Sequence, residues 1–205
     1  MEKLNRKLLH SNIVYTFIFG VLWGLLEIIA NEFLVPNNIF IKGLIFSFIA
    51  VFVLIFSKKI IDYKFSLLII ATIALLMIFA SRGYSLNIMV AIFSEALIAE
   101  IIFLSFKFRL TTTMAIGALI FLYSFIHGLI FHGSLPGSYI VYLYNNLFSD
   151  LTGISASKNA YFLVLLFFGF VSLAIGIATG WLSFRIVNAT QKRVKESIEH
   201  YILSE

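Results

Sequence analysis

Apolar residues occur along this chain in long runs that are separated by short polar segments. Six runs cover residues 13–35, 39–57, 65–81, 86–106, 111–132 and 160–184. A helix rises about 1.5 Å per residue, so a run of about 20 residues is long enough to cross a hydrocarbon core roughly 30 Å thick. The runs lack the strict alternation that is typical of barrel strands. The pattern therefore predicts an all-α integral membrane protein with six transmembrane helices.

Two segments depart from the pattern. Residues 133–159, between the fifth and sixth runs, are too polar to span easily, and we expect a short interfacial helix or a folded loop there. The C-terminal residues 186–205 are amphipathic. We therefore predict a six-span membrane domain over residues 1–185, followed by a cytoplasmic amphipathic tail over residues 186–205.

The lysines and arginines set the orientation, because cations near span ends are retained on the cytoplasmic side. With six spans, one side of the membrane receives Lys3, Arg6, Lys7, Lys58, Lys59, Lys64, Lys107, Arg109, Arg185, Lys192, Arg193 and Lys195. The other side receives only Lys42, Arg82 and Lys158. Both termini are therefore predicted to be cytoplasmic. For Arg82, two interpretations remain open, which are pairing with an acid and snorkelling to the lipid headgroups.

Composition removes several classes of protein. With 61% apolar and 12% charged residues, the chain does not have the composition of a soluble domain. The net charge of +5 is the topology signal and forms no basic face with interleaved aromatic residues, so we do not expect nucleic-acid binding. No cysteine occurs, which excludes a disulfide framework and a thiolate metal site. The basic leader lacks a cleavage signal, and we expect it to be retained as an anchor.

The first run carries a polar stripe within an apolar helix. Thr16, Gly20, Trp23, Glu27 and Asn31 follow one another at spacings of three or four residues, which places them on one helix face. A charge without a partner in hydrocarbon costs several kcal/mol. An acid at this position is therefore a functional hypothesis that requires partners on other helices. The second run has almost nothing polar apart from Lys42 and is predicted to face lipid.

The fourth and fifth runs supply those partners. Glu95 and Glu100 are about 140° apart around a helix axis, so they are not expected to serve one site, and Glu100 is predicted to face a partner or the cytoplasmic end. Tyr123 and His127 lie one turn apart on the fifth run. Counted along each helix, Glu27, Glu95 and His127 fall at matching depth in the outer half of the membrane. These residues are predicted to line one polar cavity that opens outward.

Other chemistry finds little support in the sequence. The motifs of intramembrane proteases are absent, and so is the glycine-rich phosphate loop of an ATPase, so we do not predict an enzyme. Imidazole and carboxylate suit several divalent metals, but His127 and His132 are five residues apart, and we predict neither a metal site nor a cofactor. The last run has a face of small residues that indicates close helix packing, formed by Gly169, Ser172, Gly176, Gly180 and Ser183.

The chain resembles the S components of energy-coupling factor (ECF) transporters in its length, its six runs and its predicted orientation. Its first run also has two small residues four positions apart, Gly20 and Gly24, and the stretch GVLWGLLE from Gly20 to Glu27 is similar to uncharacterised bacterial membrane proteins of this type. The S component is the substrate-binding subunit of an importer, which is driven by a coupling transmembrane subunit and two ATPases. The resemblance implies a multi-pass protein in the lipid of a bacterial plasma membrane.

The resemblance also assigns roles to residues. Gly20 and Gly24 would dock on the coupling subunit, and the same pair is also an ordinary helix-packing motif. Glu95, His127, Asn145 and Asn146 stand where the thiamine-binding members place carboxylate, imidazole and amide groups. The implied substrate is a vitamin-like small molecule or a metal ion. Together with the polar stripe, the predicted ligand-binding residues are Trp23, Glu27, Asn31, Glu95, Tyr123, His127, Asn145 and Asn146.

Two other functions remain open at the level of the sequence. In a structural or regulatory membrane subunit, Glu27, Glu95 and His127 would simply bond to one another across helices, since such bonds are worth about 0.6 kcal/mol each. In an ion-coupled carrier, the glutamates would be proton sites. A closed interior would favour the structural subunit, and a cavity of several hundred Å³ would favour ligand binding.

Overall fold

Helices account for nearly all of the chain that can be described. The computed structural model describes residues 2–34, 39–61, 63–132, 139–153 and 161–203, and the side chains of residues 12–33, 40–61, 63–131, 142–153 and 162–193. These residues form seven α-helices and one π-helical turn, and no strand occurs among them. The elements are α1 Glu2–Ile29, the π-helical turn Ala30–Leu34, α2 Ile39–Ile60, α3 Ser66–Arg82, α4 Leu86–Ser105, α5 Leu110–His132, α6 Tyr139–Thr152 and α7 Tyr161–Leu203.

Each of the six predicted runs is a helix, and five of these helices are long and apolar enough to cross a membrane. The sixth, α3, has 17 residues and is the shortest of them. The prediction of an all-helical, membrane-type architecture is thus confirmed. A short helix, α6, forms in the polar segment where one was expected. Helix α7 continues without a break through residue 185, so the predicted tail begins as a continuation of the last span.

The prediction that the second run faces lipid is wrong. Helix α2 packs against α1, α3, α4, α5 and α7, and Ala50, Val51 and Leu54 are completely buried. An all-round apolar helix can lie in lipid or at the centre of a bundle, because both environments exclude polar side chains. Here α2 lies at the centre of the bundle and is the central helix of the fold.

Helices α5 and α7 approach each other at their glycines. A Cβ atom on Gly176 would collide with the carbonyl oxygen of Gly117, and one on Gly180 would collide with that of Thr113. Small residues permit this backbone contact, which adds van der Waals attraction where lipid provides no hydrophobic driving force. The packing role predicted for the small-residue face of the last run is therefore confirmed.

Helices α1 and α3 use the first glycine pair in the same way. A Cβ atom on Gly20 would lie 2.6 Å from the Cβ of Ile73, and one on Gly24 would lie 3.0 Å from the Cβ of Met77. Of the two roles considered for Gly20 and Gly24, docking on a coupling subunit and ordinary helix packing, the contacts show the second, because α3 covers this face. Small residues mark any close helix contact, and their spacing does not say whether the partner is in the same chain.

At the end of the bundle where α2 ends and α3 begins, a buried acid holds the connection in place. Glu100 is 1% exposed and accepts hydrogen bonds from Lys58 Nζ at 3.1 Å, Phe65 N at 2.9 Å and Leu67 N at 3.0 Å. Phe65 precedes α3 with a left-handed φ of 63° and has no side chain that can cap the helix. Glu100 therefore caps α3 from α4, and its charge is favourable beside the N-terminal dipole.

Of the two expectations for Glu100, a partner or the cytoplasmic end, the arrangement fits the second. The carboxylate lies toward the bundle end that the sequence predicts to be cytoplasmic, and its bonding partners are groups of the same chain beside the α2–α3 connection. We refer below to Glu100, Lys58 and the main chain at Phe65 and Leu67 as the Glu100 node. The side chains of the N-terminal leader, of His132 and of the tail beyond residue 193 lie outside the described set.

Candidate functional site

A cavity of about 370 Å³ lies at the end of the bundle where α1, α3 and α5 end and α2 and α4 begin. This volume is within the range of small-molecule sites, roughly 300–1,000 Å³. All six long helices and α6 contribute to its wall. Its acidic, basic, imidazole and amide side chains are those of Glu27, Asn31, Lys42, Arg82, Asn87, Glu95 and His127. Glu27, Glu95 and His127 thus converge on one cavity, as the matching depths indicate.

Two buried carboxyl groups form one part of the lining. Glu27 is 9% exposed and Glu95 is 4% exposed. Trp23 donates its Nε1–H to Glu27 Oε1 at 3.1 Å, which is possible because the residues are one helical turn apart. Trp23 itself is fully buried outside the cavity wall, so it orients Glu27 and does not contribute to the lining. The Glu95 carboxyl lies close to Glu27 and to the buried hydroxyl of Ser47 on α2.

Two cations form another part of the lining, and their contribution to the site was not predicted. Lys42 comes from α2 and Arg82 from the last turn of α3. Arg82 donates through Nη2 to Glu32 Oε1 at 2.7 Å and to the carbonyl oxygen of Ile28 at 3.1 Å. Of the two interpretations of Arg82, pairing with an acid is therefore the one observed. The sequence did contain a signal. Lys42 and Arg82 are at helix ends on the predicted outer side, and Glu27 and Glu95 are predicted to lie in the outer half of the membrane.

The π-helical turn Ala30–Leu34 helps to place these groups. It continues α1 directly and carries Asn31, which lines the cavity, and Glu32, which pairs with Arg82. A single π-helical turn widens the helix and changes the direction of the side chains that follow it, and such turns are frequent at functional sites. Asn31 lines the same cavity as Glu27, as their spacing of four residues predicts.

Aromatic side chains make up much of the remaining wall. Phe40, Phe125 and Tyr144 line the cavity, and the Phe40 ring lies 6.4 Å from that of Phe125 and 5.7 Å from that of Tyr144. Burial raises the pKa of Tyr144, a residue of α6, so its hydroxyl stays protonated. The His127 ring lines the cavity too and lies 4.4 Å from the Phe131 ring. The wall is suited to an apolar or aromatic ligand body.

Besides Trp23, three of the predicted ligand-binding residues do not line the cavity. Tyr123 instead donates its hydroxyl to the carbonyl oxygen of Val90 at 3.1 Å and thereby joins α5 to α4. Asn145 is half-buried and Asn146 is exposed. Successive residues of a helix are about 100° apart, so α6 directs Tyr144 into the cavity and turns the two asparagines away. The resemblance placed them by chain position, which does not fix the rotation of α6.

Several polar atoms of the cavity wall lack a protein partner. Among the described residues, Ser172 Oγ, Asn87 Oδ1 and Arg82 Nε are buried and make no hydrogen bond. All three residues line the cavity, and Ser172 is only 1% exposed. Buried polar atoms in folded proteins are nearly always hydrogen-bonded. A donor, an acceptor and a hydroxyl group are therefore available to a polar molecule in the cavity.

The donor set suits an organic ligand better than a metal ion. Within the described ranges, no group of three or more His, Cys, Asp or Glu side chains could hold a metal.

Comparison with protein-family models, with curated proteins and with solved structures finds no match to the chain.

Proposed function

We propose that the chain is a substrate-binding membrane subunit that holds a polar small molecule in this cavity. The observation that carries the proposal is a cavity of about 370 Å³ in which two acids and two cations from different helices meet, with no ion pair within 4.0 Å between them. Small-molecule sites are mostly apolar concavities with a few convergent polar groups. Aromatic rings together with two acids, two cations and Ser172 fit that description.

The alternative function, a structural subunit, predicts a different pattern of hydrogen bonds in the interior. If Glu27, Glu95 and His127 served only to join helices, their polar atoms should be bonded across helices, as those of Glu100 are. Instead, Glu27 bonds to Trp23 on its own helix, and Ser172, Asn87 and Arg82 retain atoms without partners among the described residues. These contacts support ligand binding over a purely structural role.

We further propose that this subunit belongs to an ECF-type importer and delivers its substrate to a coupling subunit with two ATPases. The chain contains no phosphate-binding glycine loop, so ATP-driven transport requires partner subunits. Because α3 covers Gly20 and Gly24, the surface that meets the coupling subunit lies elsewhere on the bundle. The support for this part is the architectural resemblance together with the cavity.

Co-expression tests the assembly directly. The chain would be produced with the coupling subunit and the two ATPases of an ECF module and purified through an affinity tag on one ATPase. We expect a stable four-protein complex after size-exclusion chromatography in detergent. Recovery of the ATPases and the coupling subunit without the chain, under conditions in which the chain is present and folded in the membrane, would reject the importer assignment.

Substrate binding is tested separately on the purified chain. Thermal shift in detergent against a panel of vitamins and divalent metal ions should identify stabilising compounds, and calorimetry should give their affinities. The Glu27→Gln and Glu95→Gln variants keep the shape of the wall and remove a charge, so they should weaken binding. Equal affinities in both variants and the wild type would contradict the cavity assignment.

An ion-coupled carrier is the second candidate, and one observation favours it. Glu27 and Glu95 are neighbouring buried acids, and within the described residues neither has a cation within ion-pairing distance of 4.0 Å. Acids in this situation can exchange protons during transport. Purified protein in liposomes, without any ATPase, would show substrate uptake driven by a pH gradient if the carrier is correct and none if the importer is correct.

A further inference from the structure

The cavity wall contains acids and cations that do not pair with one another. Glu27 and Glu95 are the acids, and Lys42 and Arg82 are the cations. Within the described part of the chain, Lys42 has no carboxylate within 4.0 Å, and the acid that pairs with Arg82 is Glu32, which is outside the cavity wall. The wall therefore offers two acids and two cations, none of which forms an ion pair with another group of the wall.

The acids and the cations lie at different depths. Helix α2 enters the bundle from the cavity end, with Lys42 in its first turns and Ser47, which lies beside Glu95, five residues further in. At helical rise, this spacing corresponds to about 7–8 Å along the axis. Side chains of α1 tilt toward its N-terminus, which directs the Glu27 carboxyl group toward the interior of the bundle. Arg82 donates hydrogen bonds to Ile28 and Glu32, which are nearer the mouth of the cavity. The acids are deep, and the cations are shallow.

Apolar side chains make up much of the wall around these charged groups. The rings of Phe40, Phe121 and Phe125 line the cavity together with Ile92. Acids and cations without an ion-pair partner are costly in a low-dielectric site, and a ligand of one sign provides a partner for only one of the two sets. A ligand that carries a cation at one end and an anion at the other provides partners for both. Ser172 and Asn87 can then bond to its remaining polar atoms.

We propose that the cavity binds a zwitterionic small molecule, with its cationic group at Glu27 and Glu95 and its anionic group at Lys42 and the Nε–H of Arg82. This inference rests on the proposed substrate-binding function and names the chemical class of the substrate. The body between the charged ends is apolar or aromatic and separates them by a distance similar to that between Lys42 and Ser47 along α2.

Matched probes can measure the contribution of each charge. The zwitterion 6-aminohexanoic acid carries its charges five methylenes apart, 6-acetamidohexanoic acid lacks the cation, and 6-aminohexanamide lacks the anion. Calorimetry and thermal shift on the purified full-length chain should show that the zwitterion binds about tenfold or more tightly than either derivative. The shorter 4-aminobutanoic acid should bind less tightly, because it cannot reach both levels.

Two variants assign the ends of the probe. Lys42→Gln should remove the preference for 6-aminohexanoic acid over its amide and retain the preference over the acetamido derivative. Glu95→Gln should do the reverse. Lys59→Gln is the matched control, since Lys59 is on the same helix but at its other end, where it lies 4.7 Å from the centre of the Phe108 ring. This control should retain both preferences.

The outcomes separate this inference from the function on which it rests. Equal binding of the zwitterion and one derivative, no binding of any of the three probes, or unaltered preferences in both cavity variants would overturn the zwitterion assignment. If a vitamin of single charge nevertheless bound in the cavity, the proposed substrate-binding function would stand. Conversely, if the chain prefers the zwitterion but never assembles with an ECF module, the zwitterion inference stands and the importer assignment is rejected.

Discussion

Helix α4 carries two buried glutamates whose surroundings are opposite in character. Glu100, at one end of the bundle, accepts three hydrogen bonds, one of them from a lysine, and caps another helix. Glu95, nearer the other end, lies in a cavity beside a second acid. Both carboxyl groups are more than nine-tenths buried. Burial is therefore not what distinguishes a structural acid from a candidate binding acid in this protein.

The difference lies in whether the chain completes the bonding of the group. Removing an acid from water is costly, and the Glu100 node offsets that cost with a cation and two main-chain donors. The cavity provides no such set for Glu95, and its wall retains buried polar atoms without protein partners. An incompletely satisfied acid beside a cavity is the arrangement expected when the missing partner is a ligand.

The largest expected effect is on the stability of the Glu100 node. Glu100→Ala leaves Lys58 without its counter-charge and α3 without its cap, and we expect a loss of about 3–5 kcal/mol in the free energy of unfolding. Denaturant titration in detergent micelles measures this loss. Ser105→Ala, at an exposed position on the same helix, should change stability little. A loss below about 1 kcal/mol for Glu100→Ala would mean that Glu100 is not a structural acid, and the contrast with Glu95 would then fail.

Glu95→Gln should weaken ligand binding and leave stability nearly unchanged, which is the opposite of the effect expected for Glu100→Ala. Its amide keeps the shape of the carboxyl group, and among the described residues that carboxyl group has no ion pair to lose, so we expect the stability of the unliganded protein to stay within about 0.5 kcal/mol of wild type. Binding of 6-aminohexanoic acid should weaken by about 1.5–3 kcal/mol, the usual value of a charge-assisted hydrogen bond. Calorimetry and unfolding of the same preparations provide both numbers. A large stability loss with unchanged affinity would make Glu95 a structural residue.

A pair of serines gives the same comparison for neutral groups. Ser57 is buried and donates to the carbonyl oxygen of Leu54 at 3.0 Å, whereas Ser172 lines the cavity with its hydroxyl unbonded among the described residues. Ser57→Ala should cost about 0.5–1.5 kcal/mol, and Ser172→Ala should be neutral or slightly stabilising. Thermal unfolding of the two variants side by side measures the difference. The reverse order would mean that the Ser172 hydroxyl has a structural bond.

The smallest effect is expected at the mouth of the cavity. Glu32 is 58% exposed in its ion pair with Arg82, so water screens the interaction, and Glu32→Gln should cost less than about 1 kcal/mol. The cost should fall further at high salt. Unfolding at low and high ionic strength provides the check. A cost comparable with that of Glu100→Ala would show that the mouth of the cavity is a second structural node.

Local periodicity and helical rise were sufficient to predict the helices and part of the site. The runs were long enough to fix helix as the structure of each span, and equal depth brought Glu27, Glu95 and His127 together. Glu100 was separated from Glu95 correctly by angle, but its partners are main-chain groups of a turn whose left-handed Phe65 has no sequence signature. The rotation of α6, which excludes Asn145 and Asn146, depends on tertiary packing and was not predictable from position.

Two further errors have a common physical cause. The resemblance assigned Gly20 and Gly24 to a partner although they contact α3, and the sequence interpretation did not place Lys42 and Arg82 at the cavity although they line it. Small residues and cations each satisfy more than one physical requirement. A pattern that fits two requirements equally well is resolved only by knowing which helices are neighbours.

Thiol labelling tests the central claim, the accessible cavity, most directly, because the natural chain contains no cysteine. Ser172→Cys places a single thiol in the cavity wall, and Ser183→Cys places one on the same small-residue face of α7, equally buried but outside the cavity. A small methanethiosulfonate reagent should label the first variant rapidly and the second slowly, and 6-aminohexanoic acid should protect the first. Equally slow labelling of both variants would contradict the account.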